Sequence, residues 1–316
     1  MKFLNNNIIS LGLGITLIIN FFIGCNKSNN DNIITKNDNF SSNITLNSEE
    51  KELDETIKIK EWILSDSVLI CLSPKSDKIV YLIGIPELDI ISSTGIKGEG
   101  PNELITPHIV GLDSDSIVLI DNGRKQLMKL FNDSIVSRKN VPLEGLTNIP
   151  RCNPNGDIFY LSSGESGTYI ARIDNQLSSV KISLNLSEID SDISNLSYDV
   201  SNEYIVATSS AKDLVAIYNF NSGRTIKMEG KANVEFYYSD VICNKDSFFL
   251  LSQRDINGES MSGTTVIEQY NYQGEPMSRY KLDFIAFSSV YDPNTCSFIM
   301  TSPMDDNLHI ATIPAI

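Results

Sequence analysis

The sequence predicts an all-β chain built from six repeated units, and three observations predict it. From Leu46 onward, apolar residues come in short runs of Ile, Val, Phe, Tyr and Leu separated by Asn, Asp, Gly and Ser clusters, with little helical periodicity. One element, a polar residue followed by a β-rich tetrad, recurs six times: "SVLIC" at Ser67, "SIVLI" at Ser116, "DIFYL" at Asp157, "EYIVA" at Glu203, "SFFLL" at Ser247 and "SFIMT" at Ser297, at intervals of 49, 41, 46, 44 and 50 residues. A further strand follows each tetrad, from "KIVYLI" at Lys78 to "LHIATI" at Leu308, and only the fifth unit lengthens the gap, through "RDINGESMSG".

Turn residues keep the same rhythm. "DSD", "NPNG", "DVSN" and "CNKD" precede tetrads, and "FND", "DNQ", "NFNSG" and "NYQG" follow the next strand. Asn and Asp bond their own backbone there and Gly accepts positive φ, which is what hairpins need. Fourth strands follow in five units: "LDIISST", "SIVSRKNV", "SSVKISL", "RTIKME" and "MSRYKL". A four-stranded antiparallel unit of this length cannot bury both faces alone and must stack on neighbours, so the expected architecture is a six-bladed β-propeller. The sixth unit has only three strands before Ile316. An N-terminal strand, read as "ETIKIKEWIL" from Glu55 to Leu64, is expected to complete it and close the ring, hiding the sheet edges.

The chain ahead of the repeats reads as an address. Lys2 is the only charge in the first 24 residues, and the apolar run Ile8 to Ile23 is too short to span a bilayer. It ends in "FFIGC", which resembles a bacterial lipobox with Phe22 in the usual Leu position. The resemblance implies a signal peptide over residues 1–24 and a mature chain that starts at a lipidated Cys25. More than one acyl chain there would give lasting membrane attachment. Residues 25–45, rich in Asn, Ser, Asp and Lys, are expected to be a flexible tether, and 46–316 the propeller.

Losing residues 1–24 removes Lys2 and takes the net charge from −15 to −16. Such a surface repels phosphate backbones, so no nucleic-acid partner is expected. Cys71, Cys152, Cys243 and Cys296 show no C-x-x-C and no pairing with histidine, so metal-ligand spacing is absent. Export permits disulfides among them, but Cys71, Cys152 and Cys243 sit in or beside apolar runs and read as buried thiols.

"TGIKGEGPNEL", residues 94–104, resembles a phosphate loop at first sight. Its order is G-x-x-G-x-G with Pro101 and Pro107 close behind, which leaves no room for the helix a dinucleotide loop opens, and no Lys-Ser/Thr pair follows. Read on through Phe131, the segment is similar to an NHL repeat, matching at Gly95, Gly98, Gly100, Leu104, Pro107, Asp121, Asn122, Arg124 and Phe131. The G-x-G-P-N-E-L form further resembles envelope lipoproteins with TolB-like six-bladed propellers. The resemblance covers one unit in detail and speaks to fold rather than activity.

No cofactor, no metal site and no catalytic set is expected. Acidic pairs such as Asp113 with Asp115 or Asp305 with Asp306 occupy turns that the repeat already explains, and the D-x-D-x-D-G calcium loop is absent. The two histidines, His108 and His309, lack a nucleophile motif beside them. A ligand would bind at the mouth of the central channel, where side chains of all blades converge. Candidate residues there are Glu99, His108, Arg124, Arg151, Tyr237, Asp240 and Arg254. The expected function is binding or scaffolding of a protein, peptide or glycan by a lipid-anchored protein of the bacterial envelope, at the outer membrane with its periplasmic side favoured. The alternative is a channel-centred metal-dependent hydrolase, lactonase or lyase.

Overall fold

The computed structural model describes residues 32–53, 57–65, 67–143, 150–164, 167–174, 176–182, 184–230, 237–253 and 264–314. The expected signal segment with Cys25, and Arg254 in the fifth-unit insertion, lie outside them.

Six small sheets follow one another along the chain. Blade one is Glu61–Ser65, Val68–Leu72, Val80–Gly84 and Ile90–Thr94; blade two is Pro107–Asp113, Ser116–Asp121, Gln126–Phe131 and Ser134–Asn140. Blade three is Arg151–Cys152, Ile158–Gly164, Gly167–Ile173 and Ser179–Lys181. Blades four and five start at the inner strands Leu196–Val200 and Tyr238–Cys243 and end at Arg224–Glu229 and Pro276–Lys281; blade six holds Ser288–Asp292, Ser297–Thr301 and Leu308–Thr312. Within each blade these strands pair antiparallel in chain order. Every recurrent tetrad forms a second strand. Each inner strand lies beside the next one, and that of blade six lies beside that of blade one, so the ring is closed.

A lone four-stranded sheet exposes two apolar faces, and the chain covers them by stacking. The buried apolar residues fall into six clusters, one for each contact between successive blades. Ile70, Leu72 and Val80 of blade one meet Ile109, Leu119 and Met128 of blade two, for example. At about 25 cal/mol per Å² of apolar surface removed from water, each such interface is a main source of stability.

The sixth blade is completed by Ser48–Lys51, which runs antiparallel to Leu308–Thr312. The closing strand thus comes from the N-terminal side, as expected, but from other residues. Of the expected stretch 55–64, its last four residues belong instead to the inner strand of blade one, Glu61–Ser65. Nor are residues 32–45 a free tether. Asn32–Thr35 adds in parallel to the outer strand of blade four, and Ser42–Thr45 adds in parallel to that of blade five. The segment is too polar to build a core, but an existing sheet edge supplies its backbone partners, and Ile34, Phe40 and Ile44 settle onto clusters already made. The N-terminal segment is a belt around three blades.

All four described cysteines are free. Cys71 is buried and Cys243 half-buried, but Cys152 is exposed, contrary to the expectation for it, because its two-residue strand gives way at once to the Asn153–Gly156 turn.

Candidate functional site

Two cavities lie along the inner strands. On the leading face, where these strands begin, Trp62, Arg151, Tyr198, Tyr238, Asp240 and Ser288 help line a cavity of 380 Å³. On the trailing face a cavity of 640 Å³ is lined by residues that include Val110, Arg151, Asn153, Asp199, Ser289 and Tyr291. Trp62, Arg151 and Ser288 border both. Arg151 therefore stands at the junction.

The inner strands are tied together by carboxylates. Glu61 of blade one accepts the backbone N–H of Ile109 in blade two at 2.8 Å. Asp199 of blade four accepts that of Cys243 in blade five at 2.7 Å, and Asp240 of blade five accepts that of Ser289 in blade six at 3.0 Å. A strand facing a channel has no neighbour on its free edge, so an acid from the preceding blade takes up the donor that a ladder would otherwise satisfy. Trp62 Nε1 donates to Ser288 Oγ at 3.0 Å, and Ser288 Oγ donates to Asp240 Oδ2 at 3.1 Å, which joins blades one, six and five.

Arg151 Nε lies 3.5 Å from Asp199 Oδ1. Burial works against its charge, but Asp199 and Asp240, with smaller help from Tyr198 and Glu61, outweigh burial and hold the guanidinium above its ordinary range. Burial pushes Asp199 up to about 6, against the pull of Arg151 and the N–H groups of Cys243 and Val200. Burial also raises Asp240, again opposed by Arg151. Arg151 is thus paired with Asp199 and also feels the charge of Asp240, from two different blades.

The expected site residues divide into three groups. Arg151 and Asp240 line the channel cavities. His108 is buried against Glu61, with Nδ1 3.0 Å from Oε2, at the contact of blades one and two, and Tyr237 is buried among the aromatic and aliphatic residues between blades four and five. Glu99 is exposed on the crossing from blade one to blade two. Arg124 holds that crossing: its Nη2 donates to Gly100 O at 3.0 Å and Glu103 O at 3.4 Å. Neither borders the two channel cavities.

The glycine-rich crossing is occupied with itself. Gly95 N–H donates to Asp133 Oδ1, Gly98 N–H to Leu104 O and Gly100 N–H to Glu103 Oε2, at 2.7 to 2.9 Å. A phosphate cradle needs such groups turned outward together. Asp121, fully buried, accepts from the N–H groups of Ile105, Thr106, Gly123 and Arg124. Asp121 and Arg124 thus fasten the start of blade two. Gly95 has φ +78°, and an added Cβ would meet Leu130 Cδ2 at 3.2 Å.

Glu61, Trp62, Asn153, Asp199, Ser288 and Ser289 were not marked by the sequence reading. A polar or aromatic residue on an inner strand was the only signal for them. Among the described residues, no group of three or more His, Cys, Asp or Glu has a metal-holding arrangement.

No protein-family model matches the chain, and no curated protein matches it. Among solved structures it is similar to a member of the DUF4221 family from Bacteroides vulgatus, at 14% identity and TM-score 0.57 over 84% of this chain and 95% of that one. It is also similar to a Bacteroides fragilis protein named as a candidate exported protein (10% identity, TM-score 0.54, 88% and 98% covered). A streptogramin B lyase is a third (10% identity, TM-score 0.53, 84% and 97% covered). The shared fold is a six-bladed β-propeller. At these identities the likeness extends to the fold alone.

Proposed function

We propose that the chain is an envelope lipoprotein, anchored through Cys25, whose propeller binds its partner in the central channel at Arg151. The observation that carries the channel reading is Arg151 itself: it borders both cavities, and Asp199 and Asp240 of two other blades hold its charge in place. A preorganised polar group at the junction of two cavities is the feature of the molecule best suited to recognition. The lipobox-like "FFIGC" and the NHL-like and TolB-like resemblance support the anchor and the envelope setting, and a fold neighbour named as a candidate exported protein is consistent with them. Display on the periplasmic side of the outer membrane, and a protein, peptide or glycan as partner, belong to the same proposal.

Two experiments test it. Metabolic labelling with radioactive palmitate marks the wild type and leaves Cys25→Ser unlabelled; label in both variants, or in neither, contradicts the anchor. Full-length protein in detergent, immobilised and washed with envelope extract, retains a component that Arg151→Met does not. Equal retention by a folded Arg151→Met contradicts the channel.

A further inference from the structure

Arg151 borders the leading-face cavity with its hydrogen-bonding capacity unspent. Its one ion pair among the described residues, Nε to Asp199 Oδ1, is 3.5 Å long, and 21% of the side chain stays accessible. The guanidinium makes no hydrogen bond with a described residue; its charge is held chiefly by the fields of Asp199 and Asp240. Other arginines of the propeller are committed: Arg124 Nη2 donates to two carbonyls, Arg172 Nη2 meets Asp157 at 2.7 Å and Arg279 Nη2 meets Glu268 at 3.2 Å. A guanidinium carries five N–H donors in a rigid fork, and on Arg151 the two Nη atoms are left for something outside the protein.

The charge of the cavity wall points the same way. Lys60, exposed and without an ion partner among the described residues, lines the cavity beside Arg151. Asp240 is the one acid among the lining residues, and three donors already meet its carboxylate: Val241 N–H at 2.9 Å, Ser289 N–H at 3.0 Å and Ser288 Oγ at 3.1 Å. On a chain of net charge −15, this wall is cationic. Two cations less one acid leave a single positive charge, which suits a monoanion and repels an ammonium. A carboxylate matches the guanidinium fork with two parallel bonds and can take the Nη atoms while Nε stays with Asp199. Phe287, 55% exposed, adds an aromatic surface to the same wall, and 380 Å³ is the volume of a small-molecule site. We infer that the leading-face cavity binds a small ligand through its carboxylate, held by the Nη atoms of Arg151 and attracted by Lys60, with its apolar part on Phe287. The inference rests on the channel reading and narrows it to a ligand class.

Trp62, the single tryptophan of the chain, borders the cavity and reports on it. Its emission and the heat of binding are followed in the full chain as it is titrated with glucuronate against glucose, with N-acetylglycyl-leucine against its C-terminal amide, and with inorganic phosphate. At least one carboxylate saturates, while its neutral counterpart and phosphate do not. Glucuronate alone identifies an acidic sugar as the source of the carboxylate, and the peptide alone a chain terminus; both together show that the carboxylate itself is what is read. Arg151→Met weakens that probe about 10-fold or more, the effect of losing hydrogen bonds to a charged group. Lys60→Met, which breaks no ion pair among the described residues, keeps the wild-type Tm and weakens it about 3-fold at low salt, a difference that closes in about 0.5 M NaCl. The inference is overturned if no carboxylate saturates, if the neutral counterparts bind equally well, if phosphate alone saturates, or if both variants titrate like wild type. Should it fall while Arg151→Met still loses the retained envelope component, the channel reading stands; equal retention by a folded Arg151→Met would overturn both.

Discussion

Lys36 Nζ lies 2.6 Å from Glu268 Oε2, joining the N-terminal belt to the third strand of blade five through a fully enclosed ion pair. Lys36 also donates to Tyr238 Oη at 2.7 Å, Tyr238 donates to Asp213 of blade four at 2.6 Å, and Arg279 shares the Glu268 carboxylate at 3.2 Å. The belt is thus pinned where blades four and five meet.

Removing that ammonium leaves Asp213 and Glu268 buried with less compensation. Lys36→Met is expected to lower stability by about 3 kcal/mol in urea unfolding, the scale for breaking a buried pair. Adding Glu268→Gln to Lys36→Met should recover part of the loss. A change within about 0.5 kcal/mol for the single variant would show the belt to be loosely held.

The carboxylate ties between inner strands should each matter. Glu61→Ala strands the buried N–H of Ile109 and the ring of His108, and Asp240→Ala strands the N–H of Ser289. Each is expected to cost about 2 kcal/mol or more by chemical denaturation, since a buried donor without a partner loses its full solvation.

The pH dependence of Asp199 has a definite sign. Its folded pKa, about 6, lies above the ordinary 3.8, so the native state binds the proton more tightly than the unfolded chain. The contribution is fully present below the ordinary pKa and is lost as pH rises through about 6. Asp199→Asn keeps an acceptor for Cys243 N–H and removes the titration. Wild type measured against Asp199→Asn should therefore lose about 2 kcal/mol of relative stability between pH 4 and pH 7. A flat difference, or one that rises with pH, contradicts the burial of this carboxyl.

Geometry, not phosphate, explains the glycine-rich crossing. Gly95→Ala places a side chain at positive φ and against Leu130, and should cost about 1 to 2 kcal/mol. Inorganic phosphate and ATP should leave the Tm of the wild type unchanged. A rise in Tm that Gly98→Ala or Gly100→Ala abolishes would restore the phosphate reading.

Much of this architecture was legible because the second strands are buried on both faces. "SIVLI", "SFFLL" and their counterparts must be apolar and β-branched or aromatic wherever they occur, so their rhythm survives variation elsewhere. The closing strand was misplaced for the opposite reason. "SEEK" at 48–51 lies at an outer edge, where polar residues suit both faces, whereas Trp62, Ile63 and Leu64 look like a strand but carry no label saying which strand. In the channel, Arg151 and Asp240 could be marked from their places near strand starts. Glu61 and Asp199 could not, since they stand six and four residues before their tetrads while Asp240 stands seven before its own, and unequal hairpins erase any fixed spacing. Asn153 was read as a turn residue, which it is through Oδ1.

The most direct measurement is retention of an envelope component by the immobilised full-length protein, with wild type and Arg151→Met side by side. The account predicts a component that the wild type retains and a folded Arg151→Met does not. Equal retention by the two proteins would contradict it.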